Sequence, residues 1–125
     1  MTAHILRQLA EEYLSWGLPA IPICQGRPLV KWDVYQQHPP TPDDLASWPW
    51  ERADGLAVIC GHRSPTGLYW WVWDVEVQHR PAAEAWLDSE RLGWRKGLVA
   101  ESQRSGVHVY CLSRRPVRSS KHVWG

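Results

Sequence analysis

The sequence predicts an α+β fold in which helices pack on one face of a mostly antiparallel sheet. The first observation is the order of the elements, which runs helix, strand, loop, helix, strand, strand, helix, strand, strand. The second is a pair of apolar segments, Leu98 to Glu101 and Val107 to Leu112, separated by a short polar turn as in an antiparallel hairpin. The third is size, because 125 residues, 44% hydrophobic and 22% charged, suffice for one domain with a buried core.

The first two elements follow from periodicity and from the residues at their ends. Apolar residues recur at helical spacing over residues 3 to 16, where Thr2 suits the start and Gly17 the end. A short strand is expected over Ala20 to Cys24. Pro22 lies inside this strand and lacks a backbone donor, which favours an edge or a bulged position.

Proline and glycine set the boundaries of the next elements. Residues 25 to 42 are expected to form a loop, and Thr41-Pro42-Asp43-Asp44 begins a short helix that Pro49 stops. The remaining elements are a strand over Leu56 to Cys60, a loop over Gly61 to Gly67, a strand over Tyr69 to Val77 and a helix from Pro81 to about Leu92.

The aromatic composition is unusual, with ten Trp residues and no Phe. Trp side chains stack on nucleobases, but the complete absence of Phe favours the interpretation that Trp fills core positions. We expect Trp71 and Trp73 to pack under helices.

Charge, cysteine content and hydropathy exclude several classes of protein. The net charge of +1 argues against a protein that coats nucleic acid by charge alone. The three cysteines form no Cys-x-x-Cys motif, which argues against a zinc knuckle or a disulfide framework. The sequence contains no apolar run of membrane-spanning length and no signal peptide, so we expect a cytoplasmic protein without a membrane partner.

Two carboxylates lie on one face of the strand Tyr69 to Val77. Side chains alternate in a strand, so Asp74 and Glu76 share the face opposite Trp71 and Trp73. Carboxylates at this spacing supply ligands to two-metal sites. The alternative is a strand that leaves the core and ends with its acidic residues in water.

The second candidate segment is Ser105-Gly106-Val107-His108, a tight turn followed by the start of a strand. His108 and Ser105 can donate hydrogen bonds to a phosphate, although a purely structural histidine is the alternative. Arg63 and Lys31 are further candidates for nucleotide contacts, although a strand connection rich in turn residues explains Arg63 equally well and Lys31 is no stronger a signal by itself.

Together and in order, these segments resemble the primase–polymerase (prim-pol) domain of the archaeo-eukaryotic primase superfamily. The resemblance covers nearly the whole chain and is carried by Trp16-Gly17, Arg27-Pro28, Lys31-Trp32, Asp54-Gly55-Leu56-Ala57-Val58, Val72-Trp73-Asp74-Val75-Glu76 and Ser105-Gly106-Val107-His108-Val109-Tyr110.

This resemblance implies an RRM-like core and a replication protein of a plasmid, phage or integrated element. It implies a nucleotidyltransferase that uses Mg²⁺ or Mn²⁺, with Asp74 and Glu76 as metal ligands and His108, with Ser105, on the incoming nucleoside triphosphate. The implied partners are a DNA template or primer and a helicase domain in a longer parent protein.

The sequence departs from the family at one point. The family's third acidic ligand follows the His motif, whereas no Asp or Glu follows His108. We therefore expect residues 1 to 125 to be the N-terminal part or a shortened form of a prim-pol domain, and a poor polymerase alone. A non-catalytic module that binds nucleotides or single-stranded nucleic acid is the alternative.

Overall fold

The computed structural model describes residues 2–90, 99–101 and 105–116 and has α+β architecture. The helices are α1 (Ala3–Ser15), α2 (Pro42–Ser47) and α3 (Arg80–Ser89). The strands are β1 (Ala20–Cys24), β2 (Arg27–Pro28), β3 (Gly55–Val58), β4 (Tyr69–Val75), β5 (Val99–Glu101) and β6 (Val107–Ser113). The predicted order of elements is confirmed apart from β2, which the sequence did not predict. The strand expected over Tyr69 to Val77 ends at Val75, and Val77–His79 form a 3₁₀ turn. The predicted end of the third helix near Leu92 lies outside the described residues.

Local sequence explains how α1 begins and ends. The Thr2 hydroxyl accepts a hydrogen bond from the Ile5 amide at 3.4 Å, and Leu6 and Ala10 are buried on the inner face. Gly17 follows the helix with φ of +77°. A Cβ at Gly17 would lie 2.0 Å from the Arg63 carbonyl oxygen, so only glycine permits this close approach.

The start of α2 is the capping box that the sequence predicts. The Asp44 amide donates to the Thr41 hydroxyl at 3.2 Å, and the Thr41 amide donates to the Asp44 carboxylate at 2.8 Å. Pro42 occupies the first turn, where a missing amide hydrogen leaves no bond unmade.

The first sheet has the order β2-β1-β3, with both pairs antiparallel. The predicted edge position of Pro22 is therefore wrong, since β1 is the central strand. The Leu29 amide donates to the Pro22 carbonyl at 3.0 Å, so the backbone of Pro22 faces β2, and its missing N–H interrupts no bond to β3. The segment expected to be entirely loop also contains β2 and a 3₁₀ turn at Asp33–Gln36.

The second sheet has the order β4-β6-β5 and is also antiparallel, which confirms the predicted pairing of the last two strands. Leu98 and residues 102–104 of the predicted turn lie outside the described residues. The expectation of a single sheet is corrected to two three-stranded sheets. The segment that follows β3 bonds to β4, since the Gly61 amide donates to the Trp70 carbonyl at 2.9 Å and the Trp70 amide donates to the His62 carbonyl at 3.0 Å. No pairing between β3 and β4 themselves is present in the described residues.

Each sheet has its own buried cluster. The first consists of Leu6, Ala10, Ala20, Ile21, Leu45, Trp48, Trp50 and Ile59, and the second of Val75, Ala83, Leu87, Val107 and Val109. Trp73 is half-buried against the second cluster and its ring lies 5.2 Å from that of Trp86 on α3, as predicted. Trp71 packs edge-on against Trp73, and its buried indole nitrogen has no hydrogen-bond partner among the described residues.

None of the described helices has the length and apolar character needed to cross a membrane.

Candidate active-site cleft

The centre of the candidate site is the contact between Asp74 on β4 and His108 on β6. The Asp74 carboxylate lies 3.1 Å from Nε2 of His108, and the two residues are register partners. The backbone N–H and C=O of Trp70 bond to His62 and Gly61 and therefore point away from β6. Val72 and Asp74 lie two and four residues further along the strand, so their backbone groups point to the same side. Asp74 and His108 thus form a non-hydrogen-bonded pair, the pair type in which side chains come closest.

Glu76 extends this site beyond the end of β4. The backbone remains extended at Glu76, with φ of −69° and ψ of 155°, so its side chain keeps the face of Asp74. The Glu76 carboxylate is exposed and accepts a hydrogen bond from the Gln78 amide nitrogen at 2.6 Å. The predicted convergence of Asp74, Glu76 and His108 in one open cleft is therefore observed.

The cleft has a volume of about 900 Å³ and lies where the two sheets separate. One wall is β3 with Asp54 before it, and the other consists of residues on β4, β5 and β6 with their connecting turns. Four carboxylates line it, those of Asp54, Asp74, Glu76 and Glu101. The backbone amide of Gln25 donates to Asp54 at 2.9 Å, which fixes that carboxylate at the first wall. The cleft is therefore suited to cations and to ligands that carry a cation with them.

Tyr110 is a cleft residue that the sequence reasoning did not select. It follows His108 by two positions on β6, so both side chains face the cleft, with ring centroids 6.3 Å apart. Burial raises the pKa of Tyr110 to about 12, with smaller contributions from Cys60, Tyr13 and Asp74. The sequence could have indicated Tyr110, because side chains two residues apart on a strand share one face.

Ser105 lies at the turn before β6 with φ of +61°, a left-handed conformation that is strained for a residue other than glycine. Its carbonyl accepts a hydrogen bond from Nη1 of Arg80 at 3.1 Å. Hydrogen bonds to Glu84 and Glu101 raise the pKa of the Arg80 guanidinium. Nothing in the sequence indicates this role of Arg80, because only the fold brings its side chain to the Ser105 turn.

The other two predicted nucleotide contacts do not reach the cleft. Arg63 does not line the cleft. Its guanidinium donates to the Tyr69 hydroxyl at 2.5 Å and lies 4.9 Å from the centre of the Tyr69 ring. Lys31 is exposed between β2 and the following 3₁₀ turn and does not line the cleft. The structure therefore brings together Asp74, Glu76 and His108, with the Ser105 turn beside them.

The chemistry of Asp74 and Glu76 suits a hard divalent cation. Both carboxylates are exposed at the cleft, the Asp74 side chain to 70%, and carboxylate oxygens are the donors that Mg²⁺ and Mn²⁺ prefer. Within residues 2–90, 99–101 and 105–116, however, no three His, Cys, Asp or Glu side chains form a group that could hold a metal ion. The described chain therefore contributes two compatible ligands without a complete set.

Comparison with known proteins gives no match, whether to protein-family models, to curated proteins or to solved structures.

Proposed function

We propose that this chain is a nucleotidyltransferase domain of the primase–polymerase type, which adds nucleotides to a DNA primer or starts a new strand. The observation that carries the proposal is the 3.1 Å contact of Asp74 with His108 in a cleft that also holds Glu76. The sequence alone separates His108 from the two acids by more than thirty residues, and antiparallel pairing of β4 with β6 supports their joint use.

The proposed reaction transfers a nucleotidyl group. The 3′-hydroxyl oxygen of the primer bonds to the α-phosphorus, and the bond from that phosphorus to the α,β-bridging oxygen breaks. Pyrophosphate leaves with the bonding electron pair, and the hydroxyl proton passes to solvent water. A divalent cation, when bound, supplies charge stabilisation at the attacking and leaving oxygens. Asp74 and Glu76 would hold it, and His108 would orient the triphosphate from the start of β6.

The contact with Asp74 constrains how His108 acts. Nε2 of His108 lies against the Asp74 carboxylate, so Nδ1 is the ring nitrogen that remains open to a phosphate oxygen. Asp74 would hold the cation and also contacts His108, so the binding of cation and of triphosphate would be coupled.

A second candidate function is that of a non-catalytic module that binds nucleotides or single-stranded nucleic acid. The aromatic rings of Tyr110 and His108 in the cleft favour it, because nucleobases stack on such rings. The further partners implied by the resemblance, a DNA template and a helicase domain in a longer parent protein, belong to both candidates.

The test is Mn²⁺ and nucleoside triphosphate binding by titration calorimetry, together with primer-extension and de novo priming assays. We expect triphosphate binding that needs Mn²⁺, and a loss of about tenfold or more in the Asp74→Asn, Glu76→Gln double variant. Asp43→Asn is the matched control, because Asp43 is an exposed acid on α2. We expect synthesis by the unmodified chain to be weak, since two-metal catalysis needs a complete ligand set.

Three outcomes separate the candidates. Metal-dependent triphosphate binding that the double variant loses supports the nucleotidyltransferase. Single-strand binding that needs no metal and survives in the double variant supports the binding module. Triphosphate binding equal with and without Mn²⁺, and unchanged in the double variant, overturns the proposal.

A further inference from the structure

We propose that Arg80 is a positioning residue for His108, acting through the turn that precedes β6. Arg80 touches neither of the proposed metal ligands. The inference rests on the proposed function only in giving His108 a substrate to contact.

Arg80 is the first residue of α3 and binds three groups from different parts of the chain. Its Nε donates to Glu84 on the next turn of α3 at 2.9 Å. Its Nη1 donates to Glu101 at the end of β5 at 2.9 Å and to the Ser105 carbonyl at 3.1 Å. The planar guanidinium presents these donors in a fixed geometry, so Glu84 orients the group that holds the other two.

The Ser105 turn is a place where such a contact has a structural effect. Ser105 has φ of +61°, and a non-glycine residue keeps this conformation only when its surroundings enforce it. The hydrogen bond from Arg80 fixes the plane of the peptide that links Ser105 to the buried Gly106. His108 follows two residues after Gly106, so the direction in which β6 begins sets the position of the imidazole.

Arg80 also connects the two halves of the candidate site. It lies four residues after Glu76, and its Nη1 reaches the turn that introduces His108. It further neutralises Glu101, one of the four carboxylates at the cleft. Loss of Arg80 therefore releases the turn and adds an uncompensated charge beside it.

The chain contains a matched surface pair that lacks this connection. Arg7 and Glu11 on α1 form an i,i+4 ion pair at 3.0 Å, close to the 2.9 Å of Arg80 and Glu84. The Arg7 pair stays within one helix. If each arginine contributed only to helix stability, replacing Arg7 or Arg80 would have the same effect on His108. If Arg80 positions His108, only the Arg80 variants change the His108 signal.

The experiment compares Arg80→Met, Arg80→Lys and Glu84→Gln with the control Arg7→Met. Histidine-ring proton–carbon spectra are recorded on the apo protein without metal or nucleotide, and the His108 signal is assigned with His108→Gln. We expect Arg80→Met to shift or broaden the His108 signal and to leave His62 unchanged. Arg80→Lys should restore part of the wild-type signal, because an ammonium group can still meet Glu101 or the Ser105 carbonyl.

The second measurement is Mn²⁺-dependent triphosphate binding by the same variants. We expect it to weaken about tenfold in Arg80→Met, with a smaller change in Glu84→Gln and none in Arg7→Met. Unfolding midpoints by circular dichroism identify variants that have lost their fold. If Arg80→Met is unfolded, the folded Arg80→Lys and Glu84→Gln variants decide the question.

The proposal is overturned if the His108 signal is the same in the folded Arg80 variants as in the wild type. It is also overturned if Arg7→Met shifts that signal as much as Arg80→Met does. Failure of the proposed function gives a different result, in which wild-type protein binds no triphosphate while the apo His108 signal still depends on Arg80.

Discussion

The two sheets of this chain differ in how they are stabilised and in what they contribute to the cleft. Among the described residues the first sheet packs on eight buried residues, including Trp48 and Trp50, whereas the second packs on five, of which none is aromatic. The second sheet nevertheless supplies Asp74 and His108. Among the described residues, buried indole rings thus belong to the cluster of the sheet that forms the plainer wall, whereas the buried cluster of the sheet with Asp74 and His108 is aliphatic.

The two regions also differ in the polar contacts that fix their described elements. In the second region the hydrogen bonds and ion pairs of Arg80 join α3 to Glu101 and to the Ser105 turn. In the first region the corresponding contacts are a capping box and buried indoles. The comparison predicts a graded response to the loss of aromatic side chains.

The largest effect is expected for Trp50→Ala in the first region. Trp50 is only 4% exposed, and its indole N–H donates to the Leu45 carbonyl at 2.7 Å. Its removal leaves a cavity and loses this hydrogen bond, although the Leu45 carbonyl still accepts from the Trp48 amide at 3.3 Å. The free energy of unfolding should therefore fall by about 3–5 kcal/mol, measured by urea denaturation. Trp32→Ala is the control, with an expected change of at most about 0.5 kcal/mol because Trp32 is exposed. Equal losses for the two variants would contradict the assigned core.

A smaller effect is expected for Trp73→Ala in the second region. Full burial of Trp73 would predict a loss of about 3–5 kcal/mol, but the side chain is half-buried and its neighbour Trp86 is exposed. We therefore expect about 1–3 kcal/mol, again from urea denaturation. A double-mutant cycle with Trp86→Ala should give a coupling of about 0.5–1.5 kcal/mol for the two rings. A loss as large as that of Trp50→Ala would remove the distinction between the regions.

The smallest effect at neutral pH concerns Tyr110, where the two regions meet. Its pKa is raised to about 12 in the folded chain, above the ordinary value near 10. The folded state therefore favours the neutral phenol, and this contribution to stability is complete below pH 10 and is lost as the pH rises from 10 to 12. A titration of phenolate absorbance should show a late step near pH 12 that Tyr110→Phe removes and Tyr69→Phe retains. A late step that persists in Tyr110→Phe would show that another tyrosine causes it.

Local features of the sequence predicted most of the elements and the strand faces on which the candidate residues lie. The cap at Thr41, the helix over residues 3 to 16 and the alternation around Asp74 depend on neighbours in sequence, so they could be read directly. The division into two sheets could not, because it depends on how remote strands pair and not on neighbours in sequence. The role of Arg80 and the distance of Arg63 from the cleft depend likewise on contacts between remote segments.

Proline in the first sheet has a consequence for self-association. Pro28 lies on the two-residue edge strand β2, opposite Ile23 of β1. This is a non-hydrogen-bonded pair, so the backbone groups of Pro28 point away from β1 toward the open edge. A strand from another molecule that approached this edge would find no amide donor at Pro28. Pro22 offers no donor to the Leu29 carbonyl, so it limits the growth of β2 into a longer template. The two prolines thus protect the outer edge of the sheet against edge-to-edge aggregation.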